Sequence, residues 1–279
     1  MDKLNNTAIR TAFFVSDSTG ITAETLGHSL LAQFPGIHFE KLTIPYINSV
    51  AKAQKIIAQI NAASQKTQAK ALVFSTLANS EIRAILATCN GLFMDFFDIL
   101  MGPLEKELQA KYSQDIGKFH SILDTNSYDQ RISAVDFALY TDDGIGIKHY
   151  ENADVILIGV SRCGKTPTCL YLALKFGIFA ANYPITEEDM YEVNLPKPVQ
   201  PYISKLFGLT ISVERLQSIR EQRKPGSRYA TKEQCQQELK TVLQIFNKSN
   251  IPYLDSTTCS IEEIATKIMA KKKINRRSF

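Results

Sequence analysis

The sequence contains no C-x-x-C pair. Its five cysteines, Cys89, Cys163, Cys169, Cys235 and Cys259, are scattered and odd in number. That excludes a zinc ribbon and a disulfide framework, and free thiols fit a reducing cytosol. No apolar run approaches the ~20 residues a helix needs to cross a bilayer. The opening, Met1-Asp2-Lys3-Leu4-Asn5-Asn6, lacks the charged-then-apolar plan of a secretory signal. A cytoplasmic protein without a membrane partner is expected. Basic residues do not interleave with aromatics, so no nucleic-acid partner is expected either. Part of the net charge of +4 comes from the tail Lys271-Lys272-Lys273-Ile274-Asn275-Arg276-Arg277, which reads as a solvated end. Internal repeats and low-complexity tracts are missing. So are the H-R-D and D-F-G sets of eukaryotic-type protein kinases. The base-reading N-K-x-D of switch GTPases fails at its last position, where Asn247-Lys248-Ser249 is followed by Asn250.

What is present is an ordinary globular composition, 44% hydrophobic and 22% charged over 279 residues, enough for one large or two ordinary domains. The stretch that organises it is Gly159-Val160-Ser161-Arg162-Cys163-Gly164-Lys165-Thr166, which satisfies G-x-x-x-x-G-K-[ST] at every fixed position. The uncharged run before it, Val155-Ile156-Leu157-Ile158, predicts a buried strand. A helical pattern follows, with Pro167 where a first helical turn tolerates it. Glycines let successive backbone N–H groups turn toward one anion, and the helix dipole faces the same point. Lys165 brings a point charge to the phosphates, and Thr166 offers an oxygen to Mg²⁺. Cys163, inside this loop, reads as small-residue filler.

Upstream, strands at Phe13-Phe14-Val15, 42–44 and 71–75 alternate with helical patterns starting near Ala23, Val50 and Ser80. This alternation predicts a parallel sheet with helices on its faces, an α/β fold. The polar loop Ser16-Asp17-Ser18-Thr19-Gly20 reads as a helix N-cap; a loop that binds a small anion or a partner is the alternative. The apolar patch 93–100 reads as a strand and a helix turning through Gly102-Pro103, or as a surface that must be covered. A polar stretch then places a domain boundary near 115, dividing the chain into 1–115 and 116–279.

In the second part, 134–140 fits a helix or a strand. Asp142-Asp143-Gly144 is either a carboxylate pair that positions Mg²⁺ and takes a proton, or a hairpin turn. His120 is another candidate base. Thr186-Glu187-Glu188-Asp189 is a helix start, and Pro196, Pro198 and Pro201 stiffen a connection. The helix carrying Arg215, Arg220 and Arg223, followed by Lys224 and Arg228, is a mobile lid over the phosphate or a solvated basic face. Thr231 caps a long helix with Cys235, Leu239, Val242 and Phe246 inward, and Ser260-Ile261-Glu262-Glu263 is a capping box.

The phosphate loop, with Leu170-Tyr171-Leu172-Ala173 and Ala180-Ala181-Asn182-Tyr183-Pro184, resembles the bacterial phosphoenolpyruvate synthase regulatory proteins, relatives of the pyruvate, phosphate dikinase regulatory proteins. Ordered matches at Ser16-Asp17, Thr19-Gly20-Ile21-Thr22, Asp142-Asp143-Gly144, Phe207-Gly208-Leu209-Thr210 and Ser227-Arg228-Tyr229-Ala230 extend it along nearly the whole chain. The resemblance implies an N-terminal α/β domain governing target access or dimerisation. It also implies a C-terminal phosphate-loop kinase domain resembling phosphoenolpyruvate carboxykinase, and a homodimer. It implies an enzyme that phosphorylates a threonine of its target with ADP as donor, and removes that phosphate with inorganic phosphate, releasing pyrophosphate. On that basis Asp143 shuttles the threonine proton, Lys165 neutralises phosphate charge, and Thr166 with Asp142 holds Mg²⁺. The dikinase branch carries Lys-His before Asp-Asp-Gly; Tyr140-Thr141 stands there instead. The second lysine is therefore dispensed with, or replaced by an arginine such as Arg131 or Arg162. This favours the synthase over the dikinase as target. An ATP-dependent small-metabolite kinase, or a nucleotide-sensing module that inhibits by docking, would use the same loop.

Overall fold

The structure, a computed structural model, describes residues 9–113 and 125–275. The chain divides into two compact units, Met1–Ile122 and Leu123–Phe279. Each has its own four-stranded, wholly parallel sheet. The expected boundary near 115, together with His120, lies outside the described residues.

In the first unit, β1 (Ile9–Ser16), α1 (Ile21–Leu31), β2 (His38–Ile44), α2 (Val50–Lys66), β3 (Ala71–Thr76), α3 (Ser80–Leu86), β4 (Gly91–Asp95) and α4 (Phe96–Leu108) follow in order. The strands lie as β2-β1-β3-β4. Side chains alternate across a strand. Phe13, Val15 and Val73 therefore pack with Ile56 and Ile60 of α2 on one face, and Ala12, Phe14 and Phe74 with Ala23 and Leu31 of α1 on the other. Both faces of β1 are covered, hence its unbroken apolar run. Edge strand β2 is mostly exposed and polar. Each fully buried phenylalanine contributes on the order of 1.5–3 kcal/mol.

One expectation fails here. Gly102-Pro103 does not turn the chain, because α4 runs straight through it. That helix buries no residue, so a carbonyl deprived of its partner by proline is open to water. α4 also leaves Ile99, Leu100, Leu104 and Leu108 exposed. The polar loop 16–20 does supply the N-cap of α1, through Gly20 at φ +81° and without a side-chain hydrogen bond. Asp17 accepts from the Ala78 and Asn79 backbone N–H groups at 2.6 and 3.2 Å, tying β1's end to α3.

The second unit runs α5 (Thr125–Tyr140), 3-10 turns at Asp142–Gly144 and Ile147–Asn152, β5 (Val155–Gly159), α6 (Lys165–Phe176) and β6 (Ala180–Pro184). After 3-10 segments at Glu188–Met190 and Lys197–Lys205 come β7 (Leu206–Thr210), α7 (Val213–Arg223), a turn at Arg228–Ala230, α8 (Lys232–Lys248), β8 (Tyr253–Asp255) and α9 (Ile261–Lys272). The ambiguous 134–140 is thus helical. The start expected at 186–189 yields only a short 3-10 turn, in which Asp189 Oδ2 accepts from the Thr186 backbone N–H and hydroxyl at 3.0 and 3.1 Å. Thr231 caps α8 through the Gln234 N–H, and Ser260 with Glu263 closes the capping box of α9. Among the described residues no helix is long and apolar enough to cross a membrane.

The strand order β6-β5-β7-β8 repeats that of the first unit. The chain starts at an inner strand, adds one neighbour, then crosses back to build the other side. The connections therefore diverge between β5 and β7, and the crevice at the carboxyl end of β5 is where an open parallel sheet receives a ligand.

Candidate active site

The loop leaving β5 is held from below. A Cβ on Gly159 would lie 2.3 Å from the Leu209 carbonyl oxygen and 3.1 Å from Cys163 Sγ, so any side chain there would push β5 away from β7. Gly164 begins α6 at φ +95°, a conformation glycine adopts without penalty. The side chains of Val160 and Cys163 are buried and, with Gly159, form the underside of the loop. Cys163 Sγ donates to the Val160 carbonyl at 3.4 Å, and Ser256 Oγ donates to the Cys163 carbonyl at 2.9 Å. Burial pushes the Cys163 and Cys169 thiols well above the usual thiol range, which leaves little thiolate at pH 8. The folded chain should therefore take up one equivalent of a thiol reagent, at the half-exposed Cys259, and five after denaturation. Intact-mass measurement checks this, and rapid labelling of Cys163 in the folded chain would contradict it.

Above the underside, Lys165 is buried and its Nζ donates to the Val160 carbonyl at 2.9 Å. Thr166 Oγ1 donates to Asp142 Oδ1 at 2.8 Å. Asn182, fully buried on β6, donates from Nδ2 to the same carboxylate oxygen, and its Oδ1 accepts from the Asp143 N–H at 3.3 Å. The Tyr150 hydroxyl, whose pKa burial drives up, donates to the Asn182 carbonyl at 2.8 Å. Next along β6, Tyr183 donates to Asp189; burial first, then that carboxylate, pushes its hydroxyl up to about 12. Asn182 thus binds the Asp-Asp-Gly turn to the phosphate loop. Sequence reasoning assigned it no role; the available signal was an amide in a short, mostly apolar edge strand. The turn is no hairpin: it links α5 to a 3-10 segment, with Asp143 at φ +47°, a region that aspartate tolerates. The Asp143 carboxylate is exposed and makes no side-chain hydrogen bond to the described residues.

A cavity of about 490 Å³ opens here, lined by Asp143, Ser161, Arg162, Gly164, Lys165, Thr166, Pro167, Arg223, Lys224 and Tyr229. Four cationic side chains face one carboxylate, which suits a polyanion. Arg223 and Lys224 come from the end of α7, so part of the arginine-rich helix does reach the phosphate loop. Arg220 is different: it is fully buried and paired with Glu238 at 2.7 Å. Removing one partner of such a pair costs about 3–5 kcal/mol. Arg162 lines the cavity and Arg131 does not. Tyr140, where the dikinase branch has lysine, is exposed and packs edge-on against His149.

Among the described residues no three His, Cys, Asp or Glu side chains converge on a metal position. Thr166 and Asp142 offer two hard oxygens, and the threonine proton is directed at Asp142, leaving lone pairs for a cation. This suits Mg²⁺, which takes one or two protein oxygens and fills its shell with water and substrate phosphates.

A relative from Pseudomonas aeruginosa is 54% identical over 268 residues, covering 96% of this chain and 98% of its own. Relatives from Alcanivorax borkumensis and Pseudomonas putida are 53% identical over the same length and coverage. All three are named, provisionally, phosphoenolpyruvate synthase regulatory proteins. A family model described as kinase/pyrophosphorylase matches residues 12–269, a span that takes in both sheets and every residue of the cavity, and the chain belongs to that family.

Proposed function

We propose that this chain is a bifunctional enzyme acting on phosphoenolpyruvate synthase: an ADP-dependent protein threonine kinase and a phosphate-dependent phosphorylase. The observation that carries the reading is the placement of Asp143 on the wall of a cationic phosphate cavity, tied through Asn182 and Asp142 to Thr166. The relatives' name supplies the target.

In the forward direction a target threonine hydroxyl attacks the β-phosphorus of ADP. The Oγ–P bond forms, the bridging P–O bond breaks, AMP leaves, and Asp143 takes the hydroxyl proton. In the other direction an oxygen of inorganic phosphate attacks the phosphorus of phosphothreonine: the P–O–P bond forms, the P–Oγ bond breaks, Asp143 passes the phosphate's proton to the departing threonine Oγ, and pyrophosphate is released. Lys165, Arg162 and the loop N–H groups hold whichever phosphate sits in the cradle, so one site serves both reactions. Mg²⁺ on Thr166 and Asp142 would neutralise phosphate charge. Phosphoryl transfer asks the protein for alignment and charge more than for covalent chemistry. A carboxykinase-like second unit, a homodimeric assembly and a role for the first unit in admitting the target belong to the same proposal.

The test is incubation with β-labelled ADP, Mg²⁺ and either phosphoenolpyruvate synthase or pyruvate, phosphate dikinase, followed by phosphosite mapping. Label on a synthase threonine with stoichiometric AMP is expected, and added phosphate should then release pyrophosphate. Label on the dikinase alone would move the target. Transfer only from ATP to a small metabolite would sink the proposal.

A further inference from the structure

Arg220 is a fully buried cation, and it is joined directly to the phosphate loop. Its Nε and one Nη2 hydrogen both go to the Ser161 carbonyl, at 3.1 and 3.0 Å. Nη1 donates to the Tyr229 carbonyl at 3.1 Å and to Glu238 Oε1 at 3.2 Å, and Nη2 donates to Glu238 Oε2 at 2.7 Å. A guanidinium has five N–H donors in a fixed fork, and these bonds account for all five. The Tyr229 ring lies over the guanidinium carbon at 4.0 Å, and its hydroxyl donates to Ser161 Oγ at 3.0 Å. The Gln234 amide donates to Glu238 Oε1 at 2.9 Å, holding the carboxylate in place. Ser161 is thus gripped through both its carbonyl and its hydroxyl, by groups that follow β7 in the chain.

We infer that Arg220 is a positioning residue for phosphate binding. It fixes the Ser161–Arg162 peptide with its carbonyl facing away from the cavity. Because it sits one turn before the end of α7, it also sets Arg223 and Lys224 against the cavity wall. Arg220 itself does not line that wall; it acts through Ser161 and through its own helix. Lysine cannot substitute: an ammonium has three donors and no planar fork, so it cannot serve the loop carbonyl, the Tyr229 carbonyl and both Glu238 oxygens together.

The inference rests on the loop being a diphosphate site, so the experiment reads binding and does not need the protein target. ADP and inorganic phosphate affinities are measured by calorimetry for the wild type, Arg220→Lys and Tyr229→Phe, with backbone hydrogen exchange across 155–166. Arg220→Lys should weaken both anions at least 10-fold and speed exchange in 160–164, while the β5 amides stay as protected as in the wild type. Tyr229→Phe keeps the guanidinium and its stacking partner and loses only the hydroxyl contact. Because Tyr229 also lines the cavity, the variant should both weaken the anions a few-fold and speed exchange in 160–164 of the unliganded chain, which loss of a direct ligand contact would not do, and with that readout it carries the test if Arg220→Lys does not fold. Wild-type affinity in a folded Arg220→Lys chain, or in Tyr229→Phe where only that variant folds, would overturn the inference. Loss of protection throughout β5 would do so too, by reducing Arg220 to a general stabiliser. A wild type that binds neither anion would overturn the diphosphate site beneath it instead.

Discussion

Asp143→Asn should retain ADP affinity within about 3-fold while threonine phosphorylation falls by about 10²–10⁴-fold, the range a positioned general base contributes. Asparagine has nearly the same size and accepts φ near +47° at least as readily as aspartate. The contact that holds the turn is made by the backbone N–H of residue 143 to Asn182, which the substitution leaves alone. What is lost is the carboxylate that receives the hydroxyl proton. The phosphorylase direction should fall with it, because the same oxygen must return that proton. Single-turnover rates in both directions, beside calorimetric ADP affinity, check this. A fall in one direction only would assign the proton to another group.

Lys165→Ala should behave in the opposite way. Its ammonium is a fixed charge in the floor of the cavity, and a hydrogen bond to a charged group is worth roughly 1.5–3 kcal/mol. ADP and phosphate should therefore bind roughly 10- to 150-fold more weakly, with turnover at saturation reduced as well, because charge that develops in transfer also meets this cation. The fold should survive: the ammonium's hydrogen bond is to the loop's own Val160 carbonyl, not to a distant element. Equal ADP affinity in Lys165→Ala and wild type would mean that the loop is not the diphosphate site. Taken together, the two variants separate holding the phosphate from moving the proton.

The loop and the elements beside it were legible because each is a local property of the chain. Gly159, Gly164, Lys165 and Thr166 stand at fixed spacing, β5 is an uninterrupted apolar run, and α8 and α9 announce themselves through Thr231 and Ser260. The parts that were not legible depend on pairing across the sheet. Asn182 meets the Asp-Asp-Gly turn because β6 lies beside β5 in the register Leu157↔Asn182, and nothing near residue 182 encodes that register. Arg220 looked like one basic side chain among several. Its burial follows from the packing of α7 against α8, which brings Glu238 and Cys235 around it. Gly102-Pro103 misled because proline's cost in a helix depends on whether the orphaned carbonyl reaches water, and α4 buries nothing.

The wholly parallel sheets also bear on how the site comes into being in time. Neither sheet offers a hairpin, so every strand pair must wait for a crossover to close, an ordering that makes folding slow relative to helical or hairpin-rich chains. The Arg220–Ser161 contact joins residues 59 apart, so it closes a loop that contains β6 and β7. The anion cradle is then a late product of folding rather than a seed for it. A bound nucleotide would act mainly on the way out, lengthening the lifetime of the finished molecule without shortening its assembly.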